Sequence, residues 1–479
     1  MSKKIKSALL ISSVNQYSTL LIQFVLGMII ARILTPEDVG VYSVGAVVIS
    51  IAHMFRDFGI GKYIINEKDL TTEKLRAAFS LTLIISWSLA SLLFIATPYI
   101  AEFYQTEAIR EIFYVVVFNF LLIPFGSTLM TYLRRELNLK ALLITGLLSN
   151  IGQAITTITL AYHGHGYMSL AWGSITNVLI TILMLQFFRP KWYPILPSLK
   201  GIKDVAKFGS LASIESIFKQ TGNSSPDIFI GKNLSMGDVG YFSKANSIIQ
   251  IFSMLVLQAI RPIALPYFSM IEREGSDLTF AYTKIINLIT IMSLSFFCFV
   301  IVAAEPLILT LFGSQWGDSI PLTQILAVGA AVTSLVAFSN LVLIPKGKIR
   351  QLAIFTSVFQ PIRIIFIAIA TTYSIKWTII VYTLFNCIET ISFLFMLKRY
   401  LNVKLLALFK IYFVNFTIAL LSITPLLLIK SIVDFDYLNI LLRLLIESSL
   451  WGLSLLLLLI ASNHLIYQQV LLSFKNKRK

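Results

Sequence analysis

The most regularly spaced polar residues lie in an otherwise apolar segment, residues 207–230. Glu215, Lys219, Asn223 and Asp227 recur every four residues, so a helix places all four on one face. Counted from the end of the segment, Lys219 lies roughly 18 Å along the helix at about 1.5 Å per residue. An ammonium group that deep in an apolar layer needs water or a partner. Two interpretations remain open: Lys219 binds an anion in a cavity, or it pairs with Glu215 and only stabilises the helix.

Three other predicted helices carry polar faces. Each face follows helical spacing within an apolar run, so the four helices together predict a water-filled cavity. Glu215, Asp227 and Glu389 are candidates for coupling transport to a proton or cation gradient. The residues on these faces are Ser12, Gln16, Thr19 and Gln23 in the first helix; Ser43, Ser50, Met54 and Asp57, next to Arg56, in the second; and Ser243, Ser247, Gln250, Met254, Gln258 and Arg261, with Lys244 at the edge, in the eighth.

The remaining charges inside apolar runs each allow a structural interpretation. Arg363 and Glu389 lie at similar depths in adjacent predicted helices, so they either form a salt bridge or take part in binding. Arg56 and Arg261 lie near helix ends, where a long side chain can instead extend to the lipid headgroups. Arg443 and Glu447 have i,i+4 spacing and are predicted to form a structural pair.

The composition indicates that these helices cross a membrane. Hydrophobic residues make up 57% of the 479, charged residues only 13%, and the mean hydropathy is +0.82, whereas soluble domains carry about 25% charged residues. The sequence predicts an all-α integral membrane protein with about fourteen transmembrane helices of roughly 20 residues. The predicted spans are 9–33, 41–60, 79–100, 111–133, 141–162, 167–188, 207–230, 240–266, 282–303, 320–344, 352–372, 377–397, 411–430 and 438–467.

The net charge of +16 is explained by topology. With a cytoplasmic N-terminus, most Lys and Arg residues lie in loops on the cytoplasmic side, as the positive-inside rule requires. Both termini are predicted to be cytoplasmic, and nucleic-acid binding is not expected. The apolar run after Lys3, Lys4 and Lys6 is too long for a signal peptide and is predicted to be the first span.

The chain contains an internal repeat with an offset of about 200 residues. Leu34, Asp38, Val39, Gly40 and Ser43 are identical to the residues 200 positions later. The repeat predicts two six-helix bundles of like orientation, with a binding site between them. Pro98 and Pro306 are predicted to end the third span of each half. The predicted domains are a bundle at 1–188, a Pro-containing cytoplasmic linker at 189–204, a second bundle at 205–397, and a helix pair with a basic tail at 398–479.

Motifs for catalysis or cofactors are not found. Gly59-Ile-Gly-Lys62 lacks the spacing of a phosphate-binding loop, and no nucleophile, zinc-protease or dinucleotide motif occurs. His163 and His165 are too few for a metal site and predict a glycine-rich turn. Cys298 and Cys387 lie in apolar runs, where buried thiols are expected. The sequence thus predicts no enzyme, no cofactor and no metal.

Three segments resemble the polysaccharide transporter family, the Wzx-type O-antigen, capsule and colanic-acid flippases. The resemblance covers essentially the whole chain and is most specific in the repeated loop. The segments are Ala31-Arg-Ile-Leu-Thr-Pro-Glu-Asp-Val-Gly-Val-Tyr42, Ile230-Gly-Lys-Asn-Leu-Ser-Met-Gly-Asp-Val-Gly-Tyr241 and Leu311-Phe-Gly-Ser-Gln-Trp316.

The resemblance implies the multidrug/oligosaccharidyl-lipid/polysaccharide exporter fold in the bacterial inner membrane. It implies an undecaprenyl-pyrophosphate-linked oligosaccharide as substrate, moved to the outer leaflet by alternating access, and possible polymerase and chain-length partners. Relatives hold an anionic headgroup in a cationic cavity. No family motif marks the residues that do so; depth and helical face indicate Lys219, Arg363 and Lys244 in this sequence. Two alternatives stay open: a cation-coupled multidrug antiporter of the same fold, and a membrane polysaccharide polymerase or ligase.

Overall fold

The computed structural model describes residues 3–57, 59–194, 196–432 and 438–468. Among helical residues, the side chains of 3–13, 52–53, 55–57, 203–204 and 207–216 lie outside this description. Helices form the regular secondary structure of the described residues. The chain divides into two compact units: residues 1–243 with 360–372, and residues 244–359 with 373–479. The bundle and linker boundaries taken from the repeat stay a prediction.

Nineteen helices occur in the described residues, named in chain order. A π-helical turn at Ser253–Leu257 separates α10 from α11, and a 3-10 turn at Ser314–Trp316 precedes α14. The helices are α1 Lys3–Ile33, α2 Pro36–Asp57, α3 Ile60–Asn66, α4 Thr72–Tyr104, α5 Glu107–Leu122, α6 Pro124–Arg135, α7 Leu139–Tyr162, α8 Gly166–Phe187, α9 Ile202–Asn233, α10 Met236–Phe252, α11 Gln258–Arg273, α12 Leu278–Val302, α13 Ala304–Leu311, α14 Ser319–Ser334, α15 Ser339–Leu343, α16 Ile349–Ala370, α17 Ile375–Leu401, α18 Leu405–Ile432 and α19 Ile440–Ala461.

The helices confirm the predicted fold class, all-α with many membrane spans. Within the described residues, eleven helical segments are long and apolar enough to cross a bilayer. The number is twelve if α5 and α6, bent by 50° with respect to each other, form one span. Helices α2 and α9, at two other predicted spans, are not among them. The predicted count of fourteen is therefore not confirmed.

The prediction that Pro98 ends a span was wrong. Pro98 lies inside α4, which continues to Tyr104. Proline removes one backbone donor and therefore one helical hydrogen bond, a loss that helices of membrane proteins tolerate. Pro306 instead lies in the first turn of α13, after α12 has ended at Val302, where a missing N–H costs nothing.

In the first unit, the repeated loop motif caps the helices that follow it. The Asp38 carboxylate accepts hydrogen bonds from the Thr35 hydroxyl (2.7 Å) and from the Tyr167 backbone N–H (3.1 Å). Asp38 therefore stabilises the starts of both α2 and α8. In the second copy, the Ser235 hydroxyl donates to Asp238 at 2.6 Å and accepts from its N–H at 3.0 Å. Both copies of the motif provide acceptors for backbone N–H groups that have no partner at the start of a helix.

The N-terminal turns of α2 and α10 also pack against each other. A Cβ atom at Gly40 would overlap the backbone carbonyl of Met236, and one at Gly240 would overlap that of Pro36. The contact is reciprocal, because Pro36 and Met236 are themselves equivalent in the repeat. Glycine permits this close approach of two helix backbones, as small residues do in membrane helix pairs.

The Pro-containing segment between α8 and α9 is attached to α4. The Arg76 guanidinium donates to the Leu196 carbonyl (3.0 Å), and the Ser80 hydroxyl accepts from the Ser198 N–H (2.7 Å). Tyr193 packs into a buried cluster with residues of α3, α4 and α6. Burial raises the pKa of Tyr193 to about 12.

In the second unit, α12 packs against α14 and α18 through buried polar contacts. Ser293 donates to Ser334 of α14 at 2.6 Å. Asn415 of α18 donates to the Asn287 side-chain oxygen at 2.9 Å. Such hydrogen bonds help select helix pairs in an environment where apolar faces give little selectivity.

Candidate functional site

Helix α9 carries polar residues on two different faces. Gln220 donates to Ser50 of α2 at 3.0 Å and to Ser224 at 3.1 Å, which joins this face to α2. Lys219 and Asn223 are exposed. Lys219 lies near the middle of the 32-residue helix, so the exposed ammonium lies far from both helix ends.

The second half of α16, from Gln360 onward, belongs to the first unit and packs alongside α9. A Cβ atom at Gly222 would overlap the side chain of Gln360, and Asn233 donates to the Thr371 hydroxyl at 2.7 Å. Both contacts join residues 138 positions apart, so the helices run parallel in register. The same offset puts Arg363 level with Ser225. Arg363 is only 1% exposed, and the helical rise puts it about 9 Å further along than Lys219.

Lys244, the third predicted cation, lies in the second unit against two aromatic rings. Its ammonium lies 5.1 Å from the ring centre of Phe312 and 5.3 Å from that of Trp316. Both rings belong to the Phe-Gly-Ser-Gln-Trp segment. Lys244 is 9% exposed. A cation at this distance from two ring faces is attracted by their quadrupoles, which gives the aromatic motif a structural role that its sequence did not reveal.

The other predicted site residues have varied surroundings. Gln16, Asp227 and Glu389 are half-buried, whereas Gln23, Gln250 and Arg261 are exposed. The side chains of Glu215 and Arg56 lie outside the described residues. Asn223, Lys219, Asp227 and Arg363 lie together in the first unit, while Lys244, Gln250, Arg261 and Glu389 belong to the second. A role of these residues in binding or coupling stays a prediction.

Gln23 belongs to a network of amides within the first unit. Its Nε2 donates to Asn150 Oδ1 at 2.8 Å and to Gln153 Oε1 at 3.2 Å, both on α7. Asn177 of α8 donates to the same Gln153 oxygen at 3.1 Å. Gln23, one residue of the polar face predicted for the first helix, therefore meets polar partners on α7 and, through Gln153, is linked to α8.

The amide network borders a cavity of about 250 Å³. The sequence interpretation missed this cavity, although Asn150 and Gln153 on α7, like Ser174 and Asn177 on α8, have the spacing of one helix face. Uncharged polar residues in a predicted helix indicate a binding site less strongly than the charged residues of α9 do. The cavity is lined by Tyr42, Ala46, Ile49 and Ser50 of α2, Asn119 and Ile123 at the end of α5, Gln153 of α7, and Ser174, Asn177 and Val178 of α8.

The predicted Arg443–Glu447 pair is confirmed and belongs to a larger network in the second unit. Glu447 is fully buried and accepts from Arg443 and from Lys430, each at 3.0 Å. Arg443 also contacts Glu305 of α13 at 2.8 Å. The network joins α13, α18 and α19. Its geometry satisfies buried charges by pairing them, which is consistent with a structural role.

Several proteins of surface-polysaccharide synthesis are similar in sequence to this chain. Teichuronic acid biosynthesis protein TuaB of Bacillus subtilis is 22% identical over 360 residues, covering 72% of each protein. Lipopolysaccharide biosynthesis protein WzxC of Escherichia coli is 21% identical over 63% of this chain and 61% of its own length. Succinoglycan biosynthesis transport protein ExoT of Rhizobium meliloti is 24% identical over 67% and 65%.

Solved transporter structures share the fold. The lipid II flippase MurJ, in an inward closed conformation, matches with a TM-score of 0.77 at 13% identity, covering 95% of this chain and 99% of that one. A multidrug resistance MATE family transporter of the MOP superfamily, in an inward-facing conformation, gives 0.66 at 18% identity over 82% and 96%. At these identities the likeness shows the fold alone.

The family described as polysaccharide biosynthesis protein matches residues 29–321, more than half of the chain. This match includes the repeated capping motif and the Phe312–Trp316 segment. The resemblance inferred from those motifs is thereby confirmed. The chain is a multi-pass membrane protein and belongs to the polysaccharide biosynthesis protein family.

Proposed function

We propose that this protein flips undecaprenyl-pyrophosphate-linked oligosaccharide repeat units from the cytoplasmic to the outer leaflet of the bacterial inner membrane. The units would serve the synthesis of O-antigen, capsule or exopolysaccharide. The observation that carries the proposal is Lys219, an exposed cation halfway along α9 in a member of a polysaccharide biosynthesis family. Similar proteins support the proposal: ExoT is a succinoglycan transport protein, and MurJ is a lipid II flippase.

The physical task is to carry a polar headgroup through an apolar layer. A pyrophosphate and its sugars cannot enter hydrocarbon without losing their hydration, whereas the polyprenyl tail can stay in lipid. An ammonium in low-dielectric surroundings attracts the pyrophosphate more strongly than it would in water. Lys219 makes the first contact in this proposal. Arg363 and Lys244, buried in this conformation, contribute positive potential and contact the substrate as the repeat halves rock.

Topology, partners and coupling complete the proposal. In this proposal both termini lie in the cytoplasm, as the positive-inside rule predicts from the basic loops, on the side where lipid-linked repeat units are assembled. A polymerase and chain-length proteins act on the flipped product. Asp227 and Glu389, both half-buried, and Glu215 are proposed to couple transport to a gradient by binding a proton or cation. Gln16, Gln23, Asn223, Gln250, Arg56 and Arg261 are proposed to line the path.

Export of surface polysaccharide in a strain lacking the gene tests the proposal. Lys219→Ala and Arg363→Ala should lower export about tenfold or more, the effect of losing about 1.4 kcal/mol of binding. Lys219→Arg should retain most activity. Lys376→Ala, which removes an exposed Lys at the start of α17, is the matched control. Full export by the Lys219→Ala/Arg363→Ala double variant, at normal protein level, would remove the assigned roles.

A multidrug antiporter is the second candidate, because MATE transporters share the fold. It predicts resistance to cationic drugs in a sensitive host, with dependence on Asp227. Unchanged drug sensitivity together with restored export favours the flippase. A polymerase or ligase would instead elongate glycans in vesicles that contain only this protein and lipid-linked repeat units.

A further inference from the structure

The cavity bordered by α2, α5, α7 and α8 has a chemistry unlike that of the Lys219 face of α9. All of its lining residues are uncharged. Of the polar ones, Asn119, Gln153 and Asn177 offer amides, and Ser50 and Ser174 offer hydroxyls. A site without a cation is unsuited to pyrophosphate, and a site without a carboxylate is poorly suited to a metal or organic cation. Uncharged donors and acceptors at close quarters fit a neutral ligand rich in hydroxyls.

We propose that this cavity binds one sugar ring of the lipid-linked oligosaccharide. The inference rests on the proposed function and adds to it the part of the substrate that this cavity recognises. The volume of about 250 Å³ is below the roughly 300–1,000 Å³ of sites for drug-sized ligands. It therefore suits a single ring rather than a whole repeat unit.

Asn119 supplies a buried acceptor with its hydrogen-bonding capacity unused. The side chain is 4% exposed, and its Nδ2 donates to Ser174 Oγ at 2.9 Å. Its Oδ1 has no hydrogen-bond partner among the described residues. A buried carbonyl left without a donor is costly, and native proteins rarely leave one so. A ligand hydroxyl in the cavity would supply the missing donor.

Gln153 and Asn177 are already oriented by their neighbours. Gln153 Oε1 accepts from both Gln23 and Asn177, so its amide N–H groups are what it offers to a ligand. Asn177 donates to Gln153, which leaves its Oδ1 as an acceptor. The cavity therefore presents two carbonyl acceptors and one amide donor. A sugar hydroxyl both donates and accepts, so adjacent hydroxyls of one ring can use all three groups.

The remaining walls fit the apolar side of a sugar ring. Tyr42 and Ile49 of α2 line the cavity, and an aromatic ring beside aliphatic carbon provides contact area for C–H groups. Tyr42, Gln153 and Asn177 are only half-buried, so the site is reachable. Ser50, which lines the cavity, accepts from Gln220, the neighbour of Lys219. The sugar site therefore lies next to α9, which carries the cation proposed to hold the pyrophosphate.

Cysteine protection in proteoliposomes tests the inference. Asn177→Cys is made in a chain whose Cys298 and Cys387 are replaced by Ala, and its labelling by N-ethylmaleimide is timed. The probes are the host's lipid-linked oligosaccharide, undecaprenyl pyrophosphate without sugar, and a panel of neutral monosaccharides. We expect several-fold slower labelling with the lipid-linked oligosaccharide and with at least one monosaccharide, and no change with undecaprenyl pyrophosphate. Leu179→Cys, exposed on α8 but outside the cavity lining, should label at one rate throughout.

The outcomes separate the two claims. If the wild-type protein flips lipid-linked oligosaccharide but neither Asn177→Cys nor Gln153→Cys is protected by it, the sugar site is wrong and the flippase stands. Equal protection by undecaprenyl pyrophosphate alone also overturns the sugar site. If the wild-type protein flips no lipid-linked oligosaccharide, the proposed function fails. In that case, protection of the cysteine by free monosaccharides still supports sugar binding in the cavity, and no protection by monosaccharides rejects it. Gel filtration identifies a misfolded variant. If one of the two cysteine variants is misfolded, the protection measured with the other tests the sugar site.

Discussion

The Ser43 hydroxyl donates to the hydroxyl of Ser243, its equivalent in the internal repeat, at 3.1 Å. Equivalent residues contact each other only where they lie close to the axis that relates the two copies. Gly40 and Gly240, one turn earlier, make reciprocal close contacts at the same crossing. The repeated Asp-Val-Gly loop is thus placed where the starts of α2 and α10 cross.

The Ser43–Ser243 contact can be converted into a reversible lock. Ser43→Cys/Ser243→Cys, with the two native cysteines replaced, should form a disulfide on oxidation because the hydroxyls are already in contact. If transport requires α2 and α10 to separate here, oxidation should stop polysaccharide export and reductant should restore it. Ser43→Cys alone is the control. Formation of the disulfide with undiminished export would show that this crossing stays closed during transport.

Side chains at the crossing glycines should destabilise the fold. Gly40→Ala and Gly240→Ala each place a Cβ against a backbone carbonyl that cannot move without shifting a helix, at a cost of about 1–3 kcal/mol. The two variants should have similar effects because the contact is reciprocal. Gly27→Ala in α1, where no atom lies within 4 Å of the added Cβ, is the control. Thermal unfolding in detergent measures the difference, and equal melting temperatures for all three would contradict the close contact.

Removing the shared carboxylate of the α13–α18–α19 network should be costly. Glu447→Gln leaves Lys430 and Arg443 without their buried counter-charge, with an expected loss of about 3 kcal/mol in the free energy of unfolding. Glu305→Gln removes a carboxylate that is 49% exposed and should cost less than about 1 kcal/mol. A melting temperature that falls equally in both variants would argue against the central role of Glu447.

Lys244 and Trp316 should depend on each other. A double-mutant cycle of Lys244→Met and Trp316→Leu should show a coupling of about 1–2 kcal/mol, the range for a partly desolvated cation–π contact. A control double-mutant cycle that pairs Lys284 of α12 with Trp316 should show no coupling energy. Strictly additive effects of Lys244→Met and Trp316→Leu on unfolding would exclude the contact.

Acidification should loosen the segment that follows α19. His464 is buried, its Nε2 lies 3.2 Å from Asn415 Oδ1, and Ile466 N donates to its Nδ1 at 3.3 Å. Burial lowers the pKa of His464, so the folded protein favours the neutral ring. Unfolded chains bind the proton first, near pH 6.5. The contribution of His464 to the free energy of unfolding should therefore be fully present above that pH and should decrease as the pH falls toward the lower pKa of the folded state.

A matched variant isolates this effect. His464→Gln keeps a hydrogen-bonding side chain but cannot titrate, so its melting temperature should change less between pH 7.5 and 5.5 than that of the wild type. The comparison removes the contribution of every other titrating group. An identical pH dependence in both proteins would show that His464 does not carry it.

The sequence alone determined the local properties of this chain. Hydropathy identified a helical membrane protein because a lipid-facing helix must be apolar along about 20 residues, whatever its neighbours are. Helical spacing predicted the polar faces of α1 and α9, and it identified the Arg443–Glu447 pair, since residues four apart meet on any helix. The repeated loop indicated the family.

Only the tertiary structure decided which faces meet. In lipid, apolar faces differ little as partners, so hydropathy does not select helix pairs; small residues and buried hydrogen bonds do. The fold brings Tyr167 to Asp38, which lies 129 residues earlier in the sequence. It also brings Lys244 to the rings of Phe312 and Trp316, about 70 residues later. Asn119, Gln153 and Asn177, unremarkable within their own helices, became a hydrogen-bonding cavity because α5, α7 and α8 bring them together.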